Sequence, residues 1–299
     1  MSLLAVGTLA FDTIETPFDR RTEILGGSVT HFAHAARFFG PVHVVGVVGT
    51  DFPDETLRGF TARGIDVRGV EITPGKTFRW SGRYEADWNT RHTLDTQLNV
   101  FERFDPKLPE SYRSARFLFL ANAEPAVQLR ALSQMRSPEL VVADTMNLWI
   151  DSKLSDLEEL MRKVDGLVLN EEEARMLTGR RNLFQAARLL LERGPRFLVL
   201  KKGEHGAFLI GREVRFALPA YPVEEVVDPT GAGDSFAGGF MGVLASSKVI
   251  DPTALRRAML YGTVTASFCV EGFGVEGLEN VERARIEARF EELRSLVTP

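Results

Sequence analysis

The sequence predicts an α/β fold: a doubly wound, mostly parallel sheet with helices on both faces. Two observations carry this. Short apolar runs at Leu3–Val6, Val42–Val48, Phe117–Leu120, Leu140–Ala143, Leu167–Leu169 and Phe197–Leu200 are bounded by polar or Gly-rich turns and lack strict alternation, as expected of strands covered on both faces. Between them lie amphipathic stretches at Val29–Phe39, Asp156–Lys163, Glu171–Leu177 and Leu183–Glu192, most of them closed by a glycine. Strands alternating with helices imply parallel crossovers.

Taken in order, the first strand, Leu3–Val6, runs into the turn GTLAFD, and Gly26-Gly27 precedes the first helix and the second strand. The rhythm then breaks. Residues at about 69–103 are rich in Thr, Arg and aromatics and alternate in part, with Thr77, Arg79 and Ser81 set against Phe78, Trp80 and Gly82. This predicts a small β insertion, too thin to own a core, whose apolar face covers a site or meets a second subunit. Strands at 117–120, 140–143, 167–169 and 197–200 follow, and two helices, Leu255–Val270 and Val281–Leu296, close the chain. No internal repeat or low-complexity linker divides it, so residues 1–299 are expected to form one domain with the insertion as an appendage.

Composition bounds the function. With 299 residues, 36 Lys+Arg against 41 Asp+Glu and a net charge of -5, the chain is neither a strongly basic nucleic-acid binder nor a fibre. The single Cys269 lies in the apolar stretch TVTASFCV and is expected to be a buried structural thiol. No apolar run is long enough to span a bilayer and no basic leader is present, so no membrane partner and a cytoplasmic location are expected. The five His residues show no zinc spacing, and His31 and His34, on one helical face, are expected to pack rather than bind metal. Gly272-Phe273-Gly274-Val275-Glu276-Gly277 matches G-x-G-x-x-G but follows a helical pattern with too little chain after it for a dinucleotide unit.

The most specific segment is Val226 to Gly239, VVDPTGAGDSFAGG. Small residues run straight into an apolar helix, so backbone amides of Gly231, Ala232 and Gly233 can converge on an anion at a helix N-terminus. Asp234, in the first turn, is expected to be held ionised by the helix field, as a base for a hydroxyl must be. An ordinary tight turn with Asp234 as N-cap fits the local sequence as well. Asn170 and Glu173, after the strand LVL, allow either a capping box or a strand-end carboxylate holding a hydrated cation. Asp144 and Asn147 sit at another strand end facing the same crevice.

The segment VDPTGAGDSFAGGF is similar to the C-terminal signature of the ribokinase-like, or PfkB, carbohydrate kinases, and other separated pieces agree. Gly7 to Asp12 resembles the family's first strand and turn; Gly26-Gly27-Ser28-Val29-Thr30-His31 resembles its Gly-Gly segment; Asn170 to Glu173 resembles its N-x-x-E motif; Lys201 to Gly206 resembles its nucleotide-phosphate turn. The family commonly shows Asn where this chain has His31, and ribokinase has Asn where this chain has Ala10, which argues against ribose as the substrate. The resemblance implies a three-layer α/β/α sandwich with a small β lid, and transfer of a phosphoryl group from ATP, with Mg²⁺, to a hydroxyl. It implies Asp234 as base with the Gly231-Ala232-Gly233 amides; Asp12, Gly26, Gly27 and His31 around the acceptor; Asn170, Glu173, Lys202, Gly203, Gly206 and Thr230 around the nucleotide; and Mg²⁺ held by Glu173 through water, with Asp144 a weaker ligand. Lys202 could equally be solvated. A small sugar or sugar-like polyol ranks first as acceptor, a nucleoside second and a phosphorylated sugar third; the other class is a catalytically silent nucleotide-binding protein. A homodimer through the lid strands would cover their edges.

Overall fold

The computed structural model describes residues 2–298 of the chain. Its strands are β1 (Leu3–Val6), β2 (Ala10–Glu15), β3 (Arg20–Gly26), β4 (Val42–Gly49), β5 (Ile65–Thr73), β6 (Phe78–Tyr84), β7 (Arg91–Gln97), β8 (Phe117–Leu120), β9 (Leu140–Asp144), β10 (Gly166–Asn170), β11 (Phe197–Lys201), β12 (Ala207–Gly211) and β13 (Arg215–Leu218). Its helices are α1 (Ser28–Ala36), α2 (Asp54–Ala62), α3 (Pro125–Ser133), α4 (Asn147–Ser152), α5 (Leu154–Met161), α6 (Glu171–Thr178), α7 (Leu183–Glu192), α8 (Ala232–Ser246), α9 (Pro252–Cys269), α10 (Glu276–Glu279) and α11 (Arg283–Val297).

Nine strands form one sheet in the order β13-β12-β11-β10-β9-β8-β1-β4-β5. All pairings from β11 to β5 are parallel, and β12 and β13 add an antiparallel edge. Side-chain parity explains the unbroken apolar runs. Leu3 and Ala5 of β1 face a core with α1, α8, α9 and α11, while Leu4 and Val6 face another with α3, α5, α6 and α7. Each fully buried Leu or Phe contributes about 1.5–3 kcal/mol, so strands apolar on both faces select the middle layer of a sandwich. Helix ends follow their local chemistry: Asn182 caps α7, Asp251 caps α9 before Pro252, and Gly179 closes α6 in the left-handed region.

The second sheet, ordered β3-β2-β6-β7, differs from the expected insertion. Residues 69–73 belong to β5, the edge of the large sheet, whereas β6 and β7 join two strands from residues 10–26. The turn expected at Asp12 is therefore strand β2, whose alternating burial marks a half-covered sheet. Its inner face packs Ile14, Tyr84 and Phe273 together, with Ile24, Trp80 and Val227 around them. Among the described residues no helix is long and apolar enough to cross a membrane.

Candidate active site

The small sheet, the first turn of α8 and the C-terminal ends of β9, β10 and β11 bring their polar residues together. Gly231 precedes α8 in a left-handed conformation, φ 75°. A Cβ there would lie 2.2 Å from His31 Nδ1, so only glycine lets the helix begin this close to α1. The Ala232 amide donates to the Pro229 carbonyl at 3.2 Å and the Ser235 amide to the Gly231 carbonyl at 2.8 Å. Of the amides expected to face an anion, that of Ala232 is thus already engaged. Those of Gly233 and Asp234 meet no backbone acceptor among the described residues.

Lys201, the last residue of β11, stands in register beside Asn170, the last of β10. Its Nζ lies 3.5 Å from Asp144 Oδ2. Burial opposes the Lys201 charge, but Asp144, Glu173 and Asp234 outweigh it and hold the ammonium above its usual range. Asp144 is buried at 4% exposure, and burial raises its carboxyl against Lys201 and the Thr145 amide. Asp234 is pushed up to about 8, by burial first and then by Asp144 and Asp12, with Lys201 and Arg91 opposing. This corrects the expectation that the helix field keeps it ionised. Desolvation and crowded carboxylates win over a first-turn dipole that contributes about 0.3–1 kcal/mol. A carboxylate raised this far is a better proton acceptor near neutrality.

Asn170 and Glu173 form the capping box. The Glu173 amide donates to Asn170 Oδ1 at 2.9 Å, and the Asn170 amide donates to Glu173 Oε2 at 2.7 Å. Glu173 still feels the site: burial, opposed by Lys201 and helped by Asp144, pushes it up to about 7. On the small sheet, Asp12 is buried, and a Cβ on Gly26 of the adjoining β3 would lie 1.9 Å from its Oδ2. Burial raises Asp12 to about 7; the Gly27 amide opposes this and Asp228 adds to it. His31 is 1% exposed, and burial lowers it to about 4, so the ring is neutral. Its Nδ1 is 3.8 Å from the Sγ of the buried Cys269. Thr230 donates its hydroxyl to the Tyr84 hydroxyl at 3.2 Å and its amide to Asp228 Oδ1 at 2.8 Å.

Lys202 does not join this group. Its Nζ lies 4.7 Å over the Phe208 ring, on the α7 side of the sheet. Lys201 is the lysine that enters, and strand register could have found it, because the N-x-x-E asparagine and Lys201 end adjacent parallel strands. Gly203 and Gly206 take positive φ, 56° and 83°, in the turn after β11. That turn meets the small sheet where Asn89 donates to Glu204 Oε1 at 3.1 Å. Sequence reasoning missed Asp228 as a site residue; it offers Tyr84 only as one of the insertion's aromatics that could stack on a nucleobase, and Arg91 only as one of its arginines that could meet a sugar phosphate. Only the pairing of β6 with β2, and of β7 with β6, brings Tyr84 and Arg91 here.

Several buried polar atoms around the site have no hydrogen-bond partner among the described residues: Thr30 Oγ1, His31 Nε2, Thr145 Oγ1 and Ser235 Oγ. Such orphans are rare in folded proteins, and their clustering here leaves polar atoms free to meet a ligand or water. No three His, Cys, Asp or Glu among the described residues converge as a closed metal cage. The donor set is two buried carboxylates, Asp144 and Glu173, which suits Mg²⁺, an oxygen-seeking ion that keeps several waters.

The family model for pfkB family carbohydrate kinases matches residues 13–280. The cytidine kinase of Thermococcus kodakarensis is 32% identical over 247 residues, covering 81% of this chain and 87% of that protein. The nucleoside kinase of Methanothermobacter thermautotrophicus is 27% identical over 302 residues, covering 92% and 91%. An E. coli protein assigned as a ribokinase II and solved with ATP and Mg²⁺ superposes with a TM-score of 0.80 at 19% identity, covering 97% of this chain and 99% of that one.

Proposed function

The chain belongs to the pfkB family of carbohydrate kinases and is a phosphotransferase acting on a hydroxyl group; on that premise we propose that its acceptor is a sugar or sugar-like polyol, that its donor is ATP with Mg²⁺ and that Asp234 is the base. The observation that carries this reading is Asp234, raised to about 8, in the first turn of a helix whose Gly233 and Asp234 amides meet no backbone acceptor. Asp234 accepts the proton of the acceptor hydroxyl as that oxygen bonds the γ-phosphorus and the bond to the ADP oxygen breaks. The amides and the Lys201 ammonium stabilise the negative charge spread over the transferring group. Glu173 and Asp144 would hold Mg²⁺ through water, where it neutralises polyphosphate charge. Asp12, the Gly26-Gly27 turn and His31 orient the acceptor, and Gly203, Gly206 and Thr230 border the nucleotide.

The small sheet acts as a lid on a single kinase domain, held down by the Tyr84–Thr230 and Asn89–Glu204 bonds. Excluding water there limits loss of ATP to hydrolysis. Its edge strand β7 is exposed along its whole length and carries Leu94, 51% exposed, which supports self-association of two chains through the lids. Dependence on ATP supports a cytosolic site of action.

A nucleoside acceptor is the second reading. It is favoured by the cytidine and nucleoside kinases among the relatives, each matched over most of its length. The test is ADP release with MgATP across sugars, polyols, nucleosides and sugar phosphates. Stimulation confined to free sugars or polyols supports the first reading, and stimulation confined to nucleosides supports the second. A flat panel from protein that binds ATP would overturn both.

A further inference from the structure

A cavity of about 410 Å³ lies on the α7 side of the sheet edge, lined by Phe184, Arg188, Leu191, Ile210, Arg212 and Arg215 around Gly211. Three guanidinium groups share this wall and no acidic side chain lines it, in a chain whose net charge is -5. Nearby Arg193 and Arg196 pair with Glu158 and Asp165, whereas Arg188, Arg212 and Arg215 have no carboxylate partner among the described residues. The frame is fixed. Asn182 caps α7 through the Phe184 and Gln185 amides, Ile210 pairs with Arg215 across the hairpin, and the Gly211 amide donates to the Val214 carbonyl at 2.8 Å.

Beside the arginines stands an aromatic surface with no role in the crevice. Phe184 is 54% exposed, its ring 5.3 Å from that of Phe208, over which the ammonium of Lys202 lies at 4.7 Å. The cavity is separate from the candidate active site. Gly211 pairs with Phe197 at the start of β11, while Lys201 enters the crevice at its end, about 13 Å away at the rise of a strand.

We propose that this cavity is a second ligand site, taking a phosphate ester carried on a flat ring, the chemistry of a nucleoside monophosphate. A guanidinium group presents forked donors and a charge that suit phosphate oxygens, and the Phe184 ring with Leu191 and Ile210 offers a flat apolar wall for the base. The volume falls within the range of small-molecule pockets.

The test is equilibrium dialysis of labelled AMP against the full-length protein, with a non-hydrolysable ATP analogue and Mg²⁺ in excess to fill the crevice. Adenosine and inorganic phosphate serve as parallel probes. One equivalent of AMP remains bound, binding weakens with salt, and Arg188→Ala/Arg215→Ala weakens it about tenfold or more while kcat/KM for the kinase reaction is unchanged. Phe184→Ala weakens AMP but not phosphate. If the double alanine variant does not fold, Arg188→Lys/Arg215→Lys keeps the charge and loses the paired donors, and it still weakens AMP. The proposal is overturned if AMP binding is indifferent to these arginines. It is equally overturned if adenosine binds as tightly as AMP, or if phosphate matches AMP and Phe184→Ala changes neither. The binding readouts do not depend on the kinase reaction, so failure here and failure of the proposed function are told apart.

Discussion

Asp234 is raised first by desolvation and then by its neighbours, Asp144 and Asp12 against Lys201. Replacing it with Asn removes the base but keeps the size and the helix start. Turnover should fall about 10²- to 10⁴-fold while ATP affinity stays near that of the parent, measured by steady-state kinetics beside nucleotide titration. In the parent, kcat/KM should rise with pH through an acid limb above the ordinary carboxylate range, because the base works only when deprotonated. Asp234→Asn should lose that limb. At Gly231 the argument is steric. Alanine would sit at φ 75° with its Cβ against His31, costing about 1–3 kcal/mol, visible as a lower urea midpoint. An unchanged midpoint would show that the turn relaxes freely.

At the scale of elements, the two sheets meet the site through few bonds. Tyr84→Phe removes the partner of the Thr230 hydroxyl. It should cost about 0.5–1.5 kcal/mol, speed hydrogen exchange of β6 and β7, and raise the acceptor KM more than it lowers kcat. Exchange unaltered in those strands would contradict the lid. This same region was the least legible in the sequence. The parallel strands announced themselves because burial on both faces leaves them apolar without interruption, and the helix ends were written in Gly179, Asn182 and Asp251. β2 and β3 carry no such run: β3 is mostly exposed, and β2 pairs in parallel with a strand more than sixty residues later, which no local pattern encodes. The glycine turn, Asp234, Asp12 and the N-x-x-E pair were visible as motifs. Lys201, Tyr84 and Arg91 became site residues only through register and tertiary pairing.

For the whole molecule, burying Asp12, Asp144 and Glu173 beside the half-buried Asp234 sets a conflict between site and stability. Their carboxyl groups are raised above the usual 3.8–4.5. The folded state therefore binds their protons more tightly than the unfolded chain. The sign follows: their contribution to stability is full below about pH 4 and is lost at higher pH, for Asp12, Glu173 and Asp234 as pH rises through about 7 to 8. Asp51, Asp66 and Glu287, lowered by their hydrogen-bond partners, act in the opposite sense and lose stability in acid. Thermal unfolding of the parent and of Asp234→Asn should therefore diverge between pH 6 and 9, the variant gaining about 2–4 °C for each kcal/mol relieved. The most direct test of the central claim is transfer of label from γ-labelled ATP to the best acceptor, by parent and Asp234→Asn at equal nucleotide occupancy. The parent should label the acceptor and the variant, folded and ATP-bound, should label almost none. Equal labelling by both would contradict Asp234 as the base.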